Sequence, residues 1–419
     1  MTSTVPLDPH RRDFALLFIT RSLRLFAYGF LSVVLALYLV EAGLSEAQAG
    51  ALLTLTLLGD TLISLWLTTR ADRLGRKRML LTGAGLMVLA GIVFALTRNY
   101  WLLLAAATIG VISPSGNEVG PFLAIEQAAL SQTITDKQRT TVFAWYNLAG
   151  SLATALGALA GGSLAQAGQA RGLAALDSYR LVVFGYAAAG LVLAALFLLL
   201  SRGVEAPPHP AGQGPRGWLG LAQGRPVILR LSGLFMLDAF GGGFVVQSLL
   251  AYWFHVRFGA DPQTLGGIFF GANLLAGLSA LSAGWLAARI GLINTMVFTH
   301  LPSNVLLMLV PLMPTLPLAL LVLLLRFSIS QMDVPTRQSY TMAVVPPEER
   351  SAASGVTGVA RTIGAALAPV IAGSLLANPA LLSVPFFISG GLKIIYDLSL
   401  YRLFRAVRPP EEAHPEKKA

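Results

Sequence analysis

No cysteine occurs anywhere in the 419 residues, which excludes disulfides and thiolate metal sites together. Charge is nearly as scarce. Asp, Glu, Lys and Arg make up 12% of the chain against 55% hydrophobic residues, too little polar surface to clothe a soluble globule. The five histidines, His10, His209, His255, His300 and His414, are scattered over tails, linker and helix ends, so the sequence offers no metal cluster. The glycine runs at 241–243 and 266–271 lack the lysine that a phosphate-binding loop requires. No nucleophile and base pair is recognisable, and the expectation is of a protein that is not an enzyme and carries no cofactor. The opening MTSTVPLDPHRRDF leads into an apolar run without a small-residue cleavage site, so that run reads as a retained first helix.

What is present is apolar sequence in long runs. About 20 such residues cross a bilayer as a helix, and runs of this kind recur at 14–40, 47–69, 79–97, 101–132, 140–168, 180–201, 227–256, 263–288, 292–313, 316–345, 351–377 and 381–404. The chain therefore reads as an all-α membrane protein of twelve transmembrane helices. The net charge of +10 could suggest nucleic acid, but Lys and Arg concentrate in the segments on one side of the spans. That bias orients membrane proteins; it places both termini in the cytoplasm of a multi-pass plasma-membrane protein, with a bacterial inner membrane as the expected setting and no nucleic-acid partner.

The densest basic segment is RADRLGRKRML, residues 70–80, between the second and third spans. Its core, Ala71, Asp72, Arg73, Gly75, Arg76 and Lys77, resembles the loop signature of the major facilitator superfamily, Gly-x-Leu-Ala-Asp-Arg-x-Gly-Arg-Lys, and its bacterial drug/proton antiporter-like members in particular. Thr68 and Arg70 replace the Gly and Leu. Gly75 permits a tight turn, and Asp72 could accept hydrogen bonds from the free amides of a helix N-terminus. Asp72, Arg73, Gly75 and Arg76 are thus the expected conformational-switch loop. A second, weaker copy, GWLAARIGLINTM at 284–296, repeats Gly284, Leu286, Ala287, Arg289 and Gly291. Residues 137–164 also align without gaps to 348–375. The resemblance implies two pseudo-symmetric six-helix halves, 1–201 and 226–404, joined by a cytoplasmic linker at 202–225 and followed by a tail at 405–419.

The resemblance further implies alternating access about a central cavity lined by spans 1, 4, 7 and 10, acting on a small-molecule substrate as a functional monomer. Ionisable groups in membrane spans are functional candidates by default, and these spans hold several. Glu118, Asp333, Asp238 and, in span 2, Asp60 are the candidate proton-coupling carboxylates, with protons as the coupling ion. Arg21, Arg24, Tyr28, Glu126, Arg326, Arg337 and Gln338 are the candidate cavity residues. Glu126 and Arg337 are equivalent in the internal repeat, as are Gln127 and Gln338, which suggests either a latch between the halves or static ion pairs. Glu118 lies in SPSGNEVGP, where Pro114, Gly116, Gly120 and Pro121 should loosen span 4. GALAGG at 157–162 resembles the antiporters' Gly-Pro-x-x-Gly-Gly with Ala158 in place of Pro, although small residues at this spacing also serve close helix packing. The expectation is a proton-coupled exporter of small amphiphilic or anionic organic molecules. A nutrient importer or facilitator, and a transporter-like sensor, are the alternatives.

Overall fold

The computed structural model of the chain describes residues 9–118, 120–133, 136–205, 223–346 and 349–407. Helix dominates and no strand occurs among them. The helices are α1 Pro9–Glu41, α2 Glu46–Leu74, α3 Arg76–Leu96, α4 Tyr100–Ile109, α5 Phe122–Thr133, α6 Asp136–Ala170, α7 Ala175–Leu198, α8 Arg225–Gly243, α9 Gln247–Phe258, α10 Pro262–Ile290, α11 Leu292–Leu309, α12 Leu316–Ser330, α13 Asp333–Ala343, α14 Arg350–Leu376 and α15 Val384–Phe404. Eleven stretches of the described residues are long and apolar enough to cross a membrane, and the short apolar α4 belongs to the remaining span. The chain is a multi-pass membrane protein of twelve spans.

Three spans expected as single helices are each two. Span 4 is divided into α4 and α5 by an irregular stretch at 110–121, span 7 into α8 and α9, and span 10 into α12 and α13. The cause in span 4 is local sequence: Gly116 and Gly120 adopt φ of +70° and +82°, conformations that β-carbon-bearing residues resist. Freed backbone groups inside a membrane need protein partners. Asp60 of α2 accepts the Gly120 N–H at 2.7 Å, Ser113 Oγ donates to the Asn117 carbonyl at 2.7 Å, and the Tyr186 hydroxyl donates to the Val111 carbonyl.

The helices fall into two compact units, one of Met1–Leu44, Leu58–Pro210 and Asp261–Phe270, the other of Ser45–Leu57, Ala211–Ala260 and Gly271–Ala419. In the first unit α1 packs against α6 so closely that a β-carbon at Gly29 would collide with the Thr154 carbonyl, and one at Gly157 with the Phe26 carbonyl. In the second unit α8 packs against α14 in the same way, with Gly243 against the Ala365 carbonyl. Thr154 and Ala365 are equivalent in the internal repeat, so the repeat is carried by matched backbone contacts. The glycines of GALAGG are accounted for by helix packing: Gly157 and Gly161 face carbonyls of α1, and Gly162 faces the Pro262 carbonyl at the start of α10.

The RADRLGRKRML segment is a helix junction. Gly75 caps α3 at φ +101°, and its repeat counterpart Gly291 caps α11 at φ +86°. The α3 amides are capped from an unexpected source. Glu205 accepts from the backbone N–H of Arg76 at 2.6 Å and of Lys77 at 3.3 Å. Lys77 Nζ in turn donates to the carbonyls of Leu198 and Leu200 at 2.7 and 2.8 Å, satisfying acceptors that the end of α7 leaves free. The side chains of Asp72 and Arg73 lie outside the described residues, as does most of the linker.

Candidate functional site

Each unit gathers its membrane-embedded charges into one cluster. In the first, Arg24 on α1 is fully buried and held between two glutamates. Its Nη1 and Nη2 donate to Glu126 Oε1 and Oε2 at 2.8 Å each, and its Nε donates to Glu118 Oε1 at 2.8 Å. Such a bidentate fork fixes both partners in orientation as well as distance. Glu126, on α5, also accepts from Thr20 Oγ1 at 3.0 Å and the Tyr146 hydroxyl at 2.6 Å, so its acceptor sites are filled. Arg24 lies over the Phe122 ring and Arg21 over that of Tyr146, at 4.6 and 4.3 Å.

Glu118 is held more loosely. It stands in the irregular stretch between α4 and α5 with 14% of its side chain exposed, and its Oε2 is 3.0 Å from Arg21 Nη1 without hydrogen-bond alignment. Arg21 donates instead through Nη2 to Asn147 at 3.1 Å. Tyr28, one turn beyond Arg24, is fully buried. Asp60 is engaged with the broken span through Gly120 and with Ser64 at 3.3 Å. Two arginines and two glutamates thus balance one another.

The second unit is built differently. Asp238 on α8 receives Lys393 Nζ on Oδ1 at 2.6 Å and Arg337 Nη1 on Oδ2 at 3.2 Å, and the same Nη1 lies 2.9 Å from Asp333 Oδ2, one turn before it on α13. His300 on α11 brings Nε2 to 3.7 Å from Asp238 and Nδ1 to 2.8 Å from Asp397 on α15. Asn304 Nδ2 donates to the other Asp397 oxygen at 2.9 Å. Glu126 and Arg337, for which the sequence left a latch and static ion pairs open, each have partners in their own unit.

Two more guanidinium groups enter this unit. Arg326 on α12 is buried, and its Nε has no hydrogen-bond partner. Arg361 on α14 likewise carries a buried Nε without a partner, and no ion pair between it and a carboxylate is found among the described residues. Arg361 and Arg337 line a cavity of about 110 Å³ together with Gln338, Thr341, Thr357 and Phe235.

The sequence reading missed four charged or titratable members of this cluster: His300, Arg361, Lys393 and Asp397. Lys393 and Asp397 had a readable signal, since LKIIYD sets two ionisable groups four residues apart, on one helix face, within an apolar run. His300 had one too, since it stands eight residues inside the span expected at 292–313 and not at a helix end, where the sequence reading put it.

The chain belongs to the Major Facilitator Superfamily, which residues 17–369 and 257–419 match. It is 32% identical over 425 residues to an uncharacterized membrane protein of Saccharomyces cerevisiae, covering 94% of this chain and 95% of the relative; a yeast relative does not single out a bacterial inner membrane. A Na(+), Li(+), K(+)/H(+) antiporter of Planococcus maritimus is 30% identical over 130 residues, covering 31% of this chain and 30% of that protein. Among solved structures, the nucleoside transporter NupG aligns with a TM-score of 0.73 at 15% identity, covering 94% of this chain and 100% of NupG, a likeness of fold. The protein is a transporter and not an enzyme.

Proposed function

We propose that this superfamily member moves small organic anions across the membrane by alternating access, coupled to protons. The observation that carries the reading is Arg361, a cation in a membrane-spanning helix with an unpartnered buried Nε, beside a second guanidinium at a cavity. An uncompensated charge in this setting is costly, and an anionic ligand supplies what the protein leaves out. Guanidinium forks suit the flat, two-oxygen face of a carboxylate, sulfonate or phosphate. Thr341, Thr357 and the Gln338 amide offer further donors around the same cavity.

Export in exchange for protons is a second reading, favoured by the partial match to the Planococcus antiporter. GALAGG lends it no separate support, because helix packing already accounts for its glycines.

Proteoliposomes under an imposed pH gradient test the proposal. Sulfonates, dicarboxylates and phosphate esters should cross, with proton movement accompanying them, while organic cations and sugars should not. Transport confined to cations or sugars would overturn the anion reading, and the sign of the accompanying proton flux separates symport from exchange.

A further inference from the structure

His300 is 4% exposed and stands between carboxylates from two different helices, yet an anion cavity at Arg337 and Arg361 makes no direct use of it. Its surroundings define its proton. His300 Nδ1 lies 2.8 Å from Asp397 Oδ1 and 3.2 Å from the Asn304 Nδ2 that donates to Asp397 Oδ2; because an ionised carboxylate can only accept, Nδ1 carries the hydrogen toward Asp397 and the neutral ring's lone pair is on Nε2, facing Asp238. The charged and titratable groups around the ring are Asp238 from α8, and Lys393, Tyr396 and Asp397 from α15, with the Tyr396 ring edge-on at 5.9 Å. Arg337 and Asp333 of α13 connect through Asp238, and Arg326 of α12 interacts with the same two acids. Within this set the arginines keep their charge in any working condition. Lys393 Nζ lies 2.6 Å from Asp238 Oδ1 and donates to it. The imidazole is the member that can gain and lose a proton without breaking an existing hydrogen bond.

We propose that His300, paired with Asp397, is the coupling-proton site of this transporter, and that the anion cavity acts on it through Arg337 and Asp238. The proposal rests on the anion-transport reading above. Arg337 serves both places: it lines the cavity and donates to Asp238. An anion seated against Arg361 and Arg337 draws on the Arg337 charge and leaves Asp238 less compensated. A proton from water then adds to His300 Nε2. The resulting imidazolium keeps Nδ1–H on Asp397 and turns Nε2–H toward Asp238, restoring the balance. One proton enters for each anion, and loss of the anion on the far side releases it. Neither ligand is transformed, and the proton returns to water. Anion and proton therefore bind cooperatively by mutual charge compensation.

The test separates exchange from accumulation, using labelled benzenesulfonate, which stays ionised and does not leak as a neutral acid, with succinate and glycerol phosphate as further probes. Parent, His300→Gln and Asp397→Asn proteins are reconstituted and checked for a single sharp elution peak. Both variants should exchange the probe between the two faces at a rate within about threefold of the parent, and should lose about tenfold of its pH-gradient-driven accumulation together with the accompanying proton uptake. A folded His300→Gln protein that accumulates probe like the parent overturns the proposal. So does one that loses exchange and accumulation equally, because the network is then structural, and so does failure of both variants to fold. A parent that exchanges a probe but does not accumulate it also overturns the proton site. A parent that exchanges none of the three overturns the anion reading itself, an outcome distinct from all the others.

Discussion

The two charge clusters occupy corresponding places in the repeat and reach opposite ends. In the first unit the acid Glu126 receives the base Arg24; in the second, the equivalent position is the base Arg337, which donates to the acid Asp238. The scaffold repeats a close backbone contact, Gly29 on Thr154 and Gly243 on Ala365, while the signs of charge are exchanged. The first cluster is neutral when ionised, and its central pair is saturated by Thr20 and Tyr146. The second holds more cations than anions and leaves the Nε of both Arg326 and Arg361 without a partner. A saturated buried pair fixes conformation, whereas an incomplete one leaves a place for a ligand. On the anion-transport reading proposed above, the work of binding falls to the second unit and the work of bracing to the first.

The comparison is broken most severely at Arg24. Arg24→Ala strands both Glu118 and Glu126, and a buried pair that loses one partner typically forfeits about 3–5 kcal/mol, here read as a large fall in the thermal midpoint of the purified protein. Arg361→Gln should do the reverse. It removes a charge that has no ion-pair partner among the described residues, so the midpoint should hold or rise, while kcat/KM for anion transport falls by about tenfold to a hundredfold, the worth of a charge-assisted contact of roughly 1.5–3 kcal/mol. A large drop in midpoint for Arg361→Gln would make that arginine part of the frame and remove the main support for the anion site.

A smaller effect tests the shared scaffold. Gly29→Ala and Gly243→Ala each drive a methyl into a backbone carbonyl, and overpacking of this kind costs about 1–3 kcal/mol. The two losses should match in thermal melts within about 0.5 kcal/mol if the repeat is as mechanical as its contacts suggest. A marked difference between them would mean that the equivalent helix pairs bear unequal loads.

How much of this was legible in the chain follows from the range of each interaction. The twelve spans, the broken stretch around Glu118 and the turn at Gly75 depend on neighbouring residues, and hydropathy, proline and glycine announce them. The Gly75 and Gly291 pair was visible as a repeated motif, and both adopt positive φ. Partner choice was not visible. Arg24 and Glu118 are 94 residues apart in sequence, and Lys393 and Asp238 are 155 apart. Which acid meets which base depends on the rotation of packed helices, information that no local window contains. Even the partner of the first α3 amides, Glu205, lies 129 residues from Arg76 in sequence.

The finest discrimination is at Glu118, where the sequence alone places the first coupling candidate. Glu118→Gln keeps an oxygen to accept from Arg24 Nε and removes a charge whose second oxygen makes no aligned hydrogen bond. Arg24 retains both bonds to Glu126, and Arg21 retains Asn147 and the Tyr146 face. Stability should therefore change by no more than about 1 kcal/mol. If the first unit braces and the second couples, turnover falls a few-fold while the ratio of protons to solute moved stays at the parent value. A ratio that collapses in Glu118→Gln and survives in His300→Gln would assign the coupling proton to the first unit. The neutral, well-satisfied cluster would then be the working one, with the cation-rich cluster serving only to hold the anion.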